Sequence, residues 1–285
     1  MKIVVVGDLA VDVLVAPSAP AVPGADVPAR IRTTSGGAGA NTAAWLAHLG
    51  VDVTLVGRIG DDPAGRAAAA DLPGVDLALA VDPHEPTATV VVVLLDGDRT
   101  MLSHRGAAAH LSPADIPALD GADHLHLSGY VLLDPSSRAA GLAALAAARA
   151  AGLSTSVDPQ AAPALTGEFL DWVRGADLLL PNADELAALG AGVHDAVGAV
   201  AWTDGPRGAH WTESRGTWSV PAPVTDILDP TGAGDAFDAG LLHAWLAGAG
   251  PEEALRAGCR AAAAAVAVVG ARPVAARPPS RRPVA

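Results

Sequence analysis

The amino-acid sequence predicts an α/β fold: a parallel sheet covered by helices on both faces, with a small β-sheet lid set apart from it. Three observations carry this reading. The β-branched run from Ile3 to Val6, closed by Gly7-Asp8, has the pattern of a buried strand. After Asp123, strand and helix patterns alternate, as they do where parallel strands are joined by crossover helices. Two further β-rich segments, Thr87 to Leu95 and Arg99 to His104, are separated only by Asp96-Gly97-Asp98 and read as a hairpin outside that alternation.

The elements follow in order. The first strand delivers Asp8 and Asp12 at its end, and the chain from Ala16 to Pro28 is rich in Pro and Ala. With the later hairpin, this region gives a lid from about 13–33 and 86–105. Gly36 to Asn41 opens a helix that buries Trp45, Leu46 and Leu49 and stops at Gly50. Val53 to Val56 is a strand, and Gly57 to Gly65 a turn into a helix whose first residues, Asp61 and Asp62, complement its dipole. Beyond Asp123 come a strand at His124 to Leu127, a helix from Pro135 to Ala151 capped by Asp134, and a strand at Ser154 to Val157. A helix near Ala161 to Arg174, a strand at Asp177 to Leu180 and another near Val200 to Thr203 follow, then a hairpin carrying Trp211 and Trp218. Two helices, Gly232 to Ala247 and Pro251 to Val269, complete a single domain spanning 1–285, whose tail, 278–285, is expected to be disordered.

Composition narrows the function. The 285 residues are 51% hydrophobic and 17% charged, enough apolar content for a sizeable core. Eighteen Lys and Arg against 31 Asp and Glu leave a formal charge of −13, which repels a phosphate backbone and excludes generic nucleic-acid binding. Lys2 is the only lysine, so the chain holds neither a Gly-Lys-Ser/Thr phosphate loop nor the strand lysine of a protein kinase. The single cysteine, Cys259, sits in an Ala-rich helical run and cannot form an intrachain disulfide or a thiolate zinc cluster. No signal-peptide pattern follows Met1 and no apolar stretch has the length of a membrane span, so a soluble, cytoplasmic protein is expected.

Two segments carry chemistry. Asp229-Pro230-Thr231-Gly232-Ala233-Gly234-Asp235-Ala236-Phe237 runs small residues into the first turn of a helix, with a carboxylate among them. Unpaired amides and the helix dipole at such a terminus attract an anion, and glycine lets a phosphate approach the backbone. Asp235 is then a candidate general base for a hydroxyl attacking that phosphate; its bland alternative is an N-cap aspartate after a glycine turn. Gly36 to Asn41 has the same loop-into-helix form. Asn41 both donates and accepts, and it points toward Asp8 and Asp12, a mixture suited to polyols; its alternative is a tight turn. His124 and His126 share a strand face at a spacing open to a metal, but without a third ligand they read as packing residues.

Taken in this order, the two segments resemble the two signatures of the ribokinase-like, or PfkB-type, carbohydrate kinases. Gly36-Gly37-Ala38-Gly39-Ala40-Asn41-Thr42-Ala43, with Gly50 and Gly60 downstream, is similar to the first, and Asp229 through Leu242 to the second. The resemblance reaches to about Pro278. It implies a three-layer α/β/α sandwich with a lid that closes over a sugar, and transfer of a phosphoryl group from ATP to a hydroxyl. It makes Asp235 the catalytic base and the amides of Gly232, Ala233, Gly234 and Asp235 the anion hole. It places Asp8, Asp12, Gly37 and Asn41 at the sugar. Asn182 and Glu185 would organise the phosphates and Mg2+, Glu185 through water, while Thr203, Gly205 and Gly208 form the nucleotide loop and Gly258 lies near the adenine. Asp229, Thr231 and Gly270 stand where many relatives hold a monovalent cation such as K+. Backbone amides and magnesium take the phosphoryl charge in this family, which accounts for the single lysine. A homodimer formed through the lid is implied as well.

The sequence departs from the ribose-specific pattern, because Ala10 stands where ribokinases usually have Asn and Gly129 where a sugar-binding Glu is expected. Leu127-Ser128-Gly129 and Arg105-Gly106-Ala107 are more similar to fructokinases or 2-keto-3-deoxygluconate kinases. Arg105 is a candidate partner for an acidic sugar's carboxylate, the alternative being a fold-back onto Asp8 or Asp12. The rival on the same fold is a nucleoside kinase, disfavoured because Phe and Tyr total three and none is expected in the sugar pocket. A sugar or nucleotide sensor is the non-enzymatic rival, disfavoured by the intact Asp235.

Overall fold

A computed structural model describes every residue except 21, 25, 96–97 and 274–285, so the expected turn at Asp96-Gly97 and the tail 278–285 lie outside the described residues. In chain order the elements are β1 (Lys2–Val6), β2 (Ala10–Pro17), β3 (Ala29–Gly36), α1 (Ala38–His48), β4 (Asp52–Gly60), α2 (Pro63–Ala70), β5 (Val75–Asp82), β6 (Ala88–Leu95), β7 (Asp98–His104), β8 (His124–Ser128), α3 (Tyr130–Leu133), α4 (Arg138–Ala150), β9 (Ser154–Asp158), α5 (Gly167–Trp172), β10 (Leu178–Leu179), α6 (Ala183–Leu189), α7 (Val193–Ala196), β11 (Ala199–Thr203), β12 (Ala209–Glu213), β13 (Gly216–Val220), α8 (Ala233–Leu246) and α9 (Pro251–Val266).

Alternation along β1 shows why three layers form. Ile3 and Val5 enter a core with Leu46 of α1, Phe237 of α8 and Leu255 of α9, while Val4 and Val6 enter the opposite core with Leu132, Leu145 and Phe169. A strand apolar on both faces belongs inside a parallel sheet, and β1 lies between β8 and β4. The nine-stranded sheet has the order β13-β12-β11-β10-β9-β8-β1-β4-β5; it is parallel from β5 to β11, and β12 and β13 add an antiparallel edge. The second sheet, β3-β2-β6-β7, stands apart, with β2 and β6 parallel and its outer pairs antiparallel. It contains the segments assigned to the lid. The three-layer α/β/α architecture is as expected.

Several local expectations are corrected. The Pro- and Ala-rich stretch is flanked by two strands that the sequence reading did not assign, β2 and β3, paired from Ala10↔Gly36 to Pro17↔Ala29. Gly57 to Gly60 is strand and not turn: Gly57 has no side chain because a Cβ there would sit 2.7 Å from Gly7 O, so the glycine serves strand contact. Edge strand β5 was unassigned. The helix expected at Pro135 to Ala151 is α4, which starts later, at Arg138, and a short unassigned helix, α3, precedes it. Asp134 ends α3 and accepts from Ser136 N at 2.9 Å, while Ser137 is the residue before α4 and donates its hydroxyl to Val131 O. Likewise, the helix near 161–174 shortens to α5, because Ala161 has left-handed backbone (φ 40°) and a 3-10 turn containing Pro163 precedes it.

His124 and His126 are buried and joined by hydroxyls. Ser154 Oγ donates to Asp123 O (3.4 Å) and so accepts from His124 Nδ1 at 2.8 Å. Ser156 then donates to His124 Nε2 and accepts from His126 Nδ1, both at 2.8 Å, which puts the proton of each ring on Nδ1. Burial pushes the imidazoles down to about 3 and about 4, the charge of His126 adding to the effect on His124. They are neutral packing residues, as expected.

Candidate active site

The cleft forms where the ends of β1 and β9, the start of α1 and the first turn of α8 converge under the small sheet, and it encloses about 350 Å³. Glycines make the convergence possible. A Cβ at Gly39 would lie 2.6 Å from Gly7 Cα, and one at Gly37 (φ 94°) would lie 2.6 Å from Asp8 O, so α1 docks directly on the chain leaving β1. That contact is fixed by Ala40 N donating to Asp8 O at 3.0 Å and Gly39 N to Asp8 Oδ1 at 3.4 Å. The first glycine segment is therefore a packing device that places Asn41.

Asn41 Nδ2 donates to Asp235 Oδ2 at 2.9 Å, across 194 residues of sequence. Asp235 lies in the first turn of α8, after Gly232, whose φ of 77° is left-handed and whose missing side chain admits the backbone of Ala271. The Ala233 amide, expected in the anion hole, donates to Pro230 O at 3.3 Å. The amides of Gly232, Gly234 and Asp235 have no backbone acceptor outside α8 among the described residues, as the first turn of a helix leaves them. Burial pushes the Asp235 carboxyl up to about 7; the Asn41 hydrogen bond opposes this, and the charges of Asp8 and Asp12 add to it. A base poised near neutrality is what proton removal from a hydroxyl needs.

Asp8 and Asp12 both border the cleft. Asp12 lies over Gly36 and is pushed up to about 6 by burial and by Asp8, against Arg272. Arg105 takes the fold-back position: Nη1 bonds Asp8 Oδ2 at 3.0 Å and the guanidinium lies 5.0 Å from the Tyr130 ring centroid, while Nε and Nη2 are buried without a partner. Tyr130 corrects the expectation that no Phe or Tyr stands in the sugar pocket. The separate helix α3 carries it to the end of β8, and it borders the cleft. Gly129 has no room for the glutamate of a ribose site, since a Cβ there would be 2.2 Å from Pro159 O.

The far wall is acidic. Asn182 and Glu185 form a reciprocal capping box at the start of α6, with Glu185 N to Asn182 Oδ1 at 2.9 Å and Asn182 N to Glu185 Oε2 at 2.8 Å. Beside them stand two carboxylates that the sequence reading missed, Asp158 and Asp238, both bordering the cleft. Burial is the main cause that raises all three acids; for Asp158 the charges of Glu185 and Asp235 add to it and a hydrogen bond from Asp238 opposes it, while for Asp238 the charges of Asp158, Asp235 and Glu185 add to it. Asp158 also accepts from the backbone and side chain of Gln160, which with Ala161 has left-handed φ at the cleft wall. The signals available were Asp158 at a strand end before Pro159, and Asp238 one turn after Asp235.

The remaining expected residues are placed as follows. Thr203 borders the cleft and bridges to Asn182. Gly205 and Gly208 belong to the turn between β11 and β12, with Gly208 (φ 112°) pressed against Val220 O, and neither borders the cleft. Gly258 lies in α9, buried against α8, where a Cβ would be 2.7 Å from the Phe237 ring, so helix packing accounts for the glycine. Asp229 accepts from Thr231 N and Gly270 N, both at 2.9 Å, and these three residues border one small cavity.

Comparison with known proteins gives a consistent result. The pattern of the pfkB family carbohydrate kinases matches residues 1–277. The chain is 36% identical over 251 residues to a protein of Halopiger xanaduensis named ATP-dependent ribose-1-phosphate kinase, covering 82% of each chain. It is 34% identical to a Klebsiella pneumoniae fructokinase, covering 85% of this chain and 83% of that one. The crystal structure of aminoimidazole riboside kinase from Salmonella enterica, complexed with aminoimidazole riboside and an ATP analog, superimposes with a TM-score of 0.79 at 28% identity, covering 95% of both chains.

Proposed function

The chain belongs to the pfkB family of carbohydrate kinases, and from that premise we propose that it transfers the γ-phosphoryl group of Mg-ATP to a primary hydroxyl of a sugar or sugar acid, with Asp235 as general base. The observation that carries the reading is the position of Asp235, hydrogen-bonded to Asn41 at 2.9 Å and raised to about 7 within the turn whose amides are open. Asn41, Asp12 and Asp8 bind and orient the acceptor hydroxyls. Asp235 takes the proton of the attacking oxygen at its carboxylate, and the amides of Gly232, Gly234 and Asp235 receive the charge that develops on the transferred group. The small sheet, with Met101 and Ser103 at the cleft, serves as the lid that excludes water.

Magnesium fits the donor set. Glu185 and its neighbours are hard oxygen donors, yet the described residues include no group of three or more His, Cys, Asp or Glu able to hold a metal on their own. Such a wall suits an ion that keeps its waters and is held largely by ATP phosphates, with Glu185 reached through water. Bound there, Mg2+ neutralises phosphate charge. Asp229, Thr231 and Gly270 offer oxygen donors around one cavity, which supports a K+ site.

Arg105 favours an acceptor that carries an anionic group. Its unpartnered Nε and Nη2 form the side-on fork that a carboxylate or phosphate accepts bidentately, and the Halopiger relative is named for a phosphorylated sugar. Tyr130 keeps a nucleoside acceptor as the second reading. Exposed Ile31 and Leu102 on the small sheet support a homodimer through the lid of a cytoplasmic enzyme. The test is ADP release with Mg-ATP against pentoses, pentose 1-phosphates, ketohexoses, 2-keto-3-deoxy acids and nucleosides, with Asp235→Asn as the blank. Turnover on one class, abolished in Asp235→Asn while ATP still binds, is expected. Near-native turnover in Asp235→Asn overturns the base assignment, and binding without turnover on any class leaves a sensor.

A further inference from the structure

Three consecutive residues after α9 stitch both halves of the cleft together. Gly270 N donates to Asp229 Oδ2 at 2.9 Å, and Ala271 O accepts from Trp45 Nε1 at 3.0 Å while its backbone lies where a side chain at Gly232 would be. Arg272 reaches furthest. Nη2 donates to Gly36 O at 3.1 Å, Nη1 to Asp71 O at 3.0 Å, and Nε to Asn41 Oδ1 at 3.4 Å; Nη1 also lies 3.5 Å from the Asp71 carboxylate. The side chain is 10% exposed, so this is a fixed guanidinium and not a surface arm.

The chemistry of Asn41 makes this contact informative. A carboxamide can turn over, exchanging its oxygen and nitrogen, and in one orientation its oxygen would oppose the Asp235 carboxylate. A guanidinium only donates, so Arg272 accepts the amide solely with Oδ1 toward itself, and the N–H is then left facing Asp235. We infer that Arg272 is a positioning residue for the phosphoryl transfer, acting through Asn41 to hold its N–H on the base. The inference rests on the proposed role of Asp235. The titratable and polar groups that face Asp235 are Asp8 from the link between β1 and β2, Asp12 from β2, Asn41 from α1, Tyr130 from α3, Asp158 from β9 and Asp238 from its own helix. Asn41 is the one among them that accepts a hydrogen bond from Arg272, while Asp12 feels the guanidinium's charge.

The test is a double-mutant cycle in the full chain, with the acceptor found by the panel above. Arg272→Met should lower kcat about tenfold and move the acid limb of kcat/KM to higher pH, because the hydrogen bond that holds Asp235 down is lost. Asn41→Ala should move the limb in the same direction, and adding Arg272→Met to it should change kcat by less than about twofold. Asp71→Asn, which keeps the Nε contact, should leave the limb in place. Should Arg272→Met fail to fold, Arg272→Gln takes its place in the cycle. Effects that multiply in the double variant, an unmoved limb in Arg272→Met, or a moved limb in Asp71→Asn would overturn the inference. Turnover surviving in Asp235→Asn would instead overturn the reading on which it stands.

Discussion

Acidification offers the sharpest check on Asp235. With its carboxyl pushed up to about 7, first by burial and then by the charges of Asp8 and Asp12, the ionised fraction is about 0.9 near pH 8 and about 0.1 near pH 6. The rate constant kcat/KM for the acceptor should therefore fall about ninefold over that interval, with one proton bound. Below about pH 6 the fall should become shallower. Asp12, raised to about 6, then takes up its own proton and removes one of the charges that keep Asp235 high. In Asn41→Ala the midpoint should rise, since the lost hydrogen bond favours the ionised base. The assay is ADP release at saturating Mg-ATP, with acceptor concentration varied at each pH and the coupling enzymes in excess. A profile that stays level to about pH 5, with a midpoint in the ordinary carboxylate range, would refute the argument.

Other perturbations test the scaffold. Gly258→Ala should destabilise the protein by about 1–3 kcal/mol in denaturant unfolding, because its Cβ meets Phe237 at 2.7 Å, while the KM for ATP in the folded variant stays unchanged. Asp62→Ala removes the cap that accepts from Gly65 N, Thr87 N and Thr87 Oγ1 at 2.7, 2.7 and 2.8 Å; thermal unfolding should report a loss of about 1–2 kcal/mol. His126 is held neutral with its pKa lowered to about 4, below its unfolded value, so it contributes stability that is present above about pH 6.5 and is lost as pH falls toward 4. Its share is at most about 3 kcal/mol. His126→Gln should flatten that part of the stability curve, read as the difference from wild type, since the raised carboxyls of the cleft act in the opposite sense in both proteins.

The legible parts of the sequence were those in which one residue's chemistry decides its place. Asp235 and Asn41 are legible because two glycine turns into helices, each ambiguous alone, together resemble two family signatures, and both residues stand at the cleft. The alternation after Asp123 gave the parallel sheet. What escaped was set by tertiary contact. Gly57 reads as part of a turn in sequence and Gly258 as a helical residue that the resemblance puts near the adenine, whereas their missing side chains admit Gly7 O and Phe237. Arg272 carries no local pattern, because its partners Gly36, Asn41 and Asp71 lie about two hundred residues away and only the completed fold brings them near. Asp158 before Pro159 and Asp238 one turn after Asp235 carry only faint local signals, as a buried carboxylate is recognised chiefly by its surroundings.

The placement of β1 has a consequence for how the protein is made. It is made well before β8, which starts at His124, yet it pairs with that strand and is apolar on both faces. Until that partner emerges, Ile3 to Val6 can be satisfied only by β4, with one edge and much of both faces bare. Asn41 waits longer still for Asp235, and Gly36 for Arg272. The nascent chain thus spends most of its synthesis as a sticky half-sheet with no working centre, a state that invites aggregation and the help of chaperones. Catalytic competence would arrive late, when α8 and α9 dock and Arg272 closes on the first glycine loop.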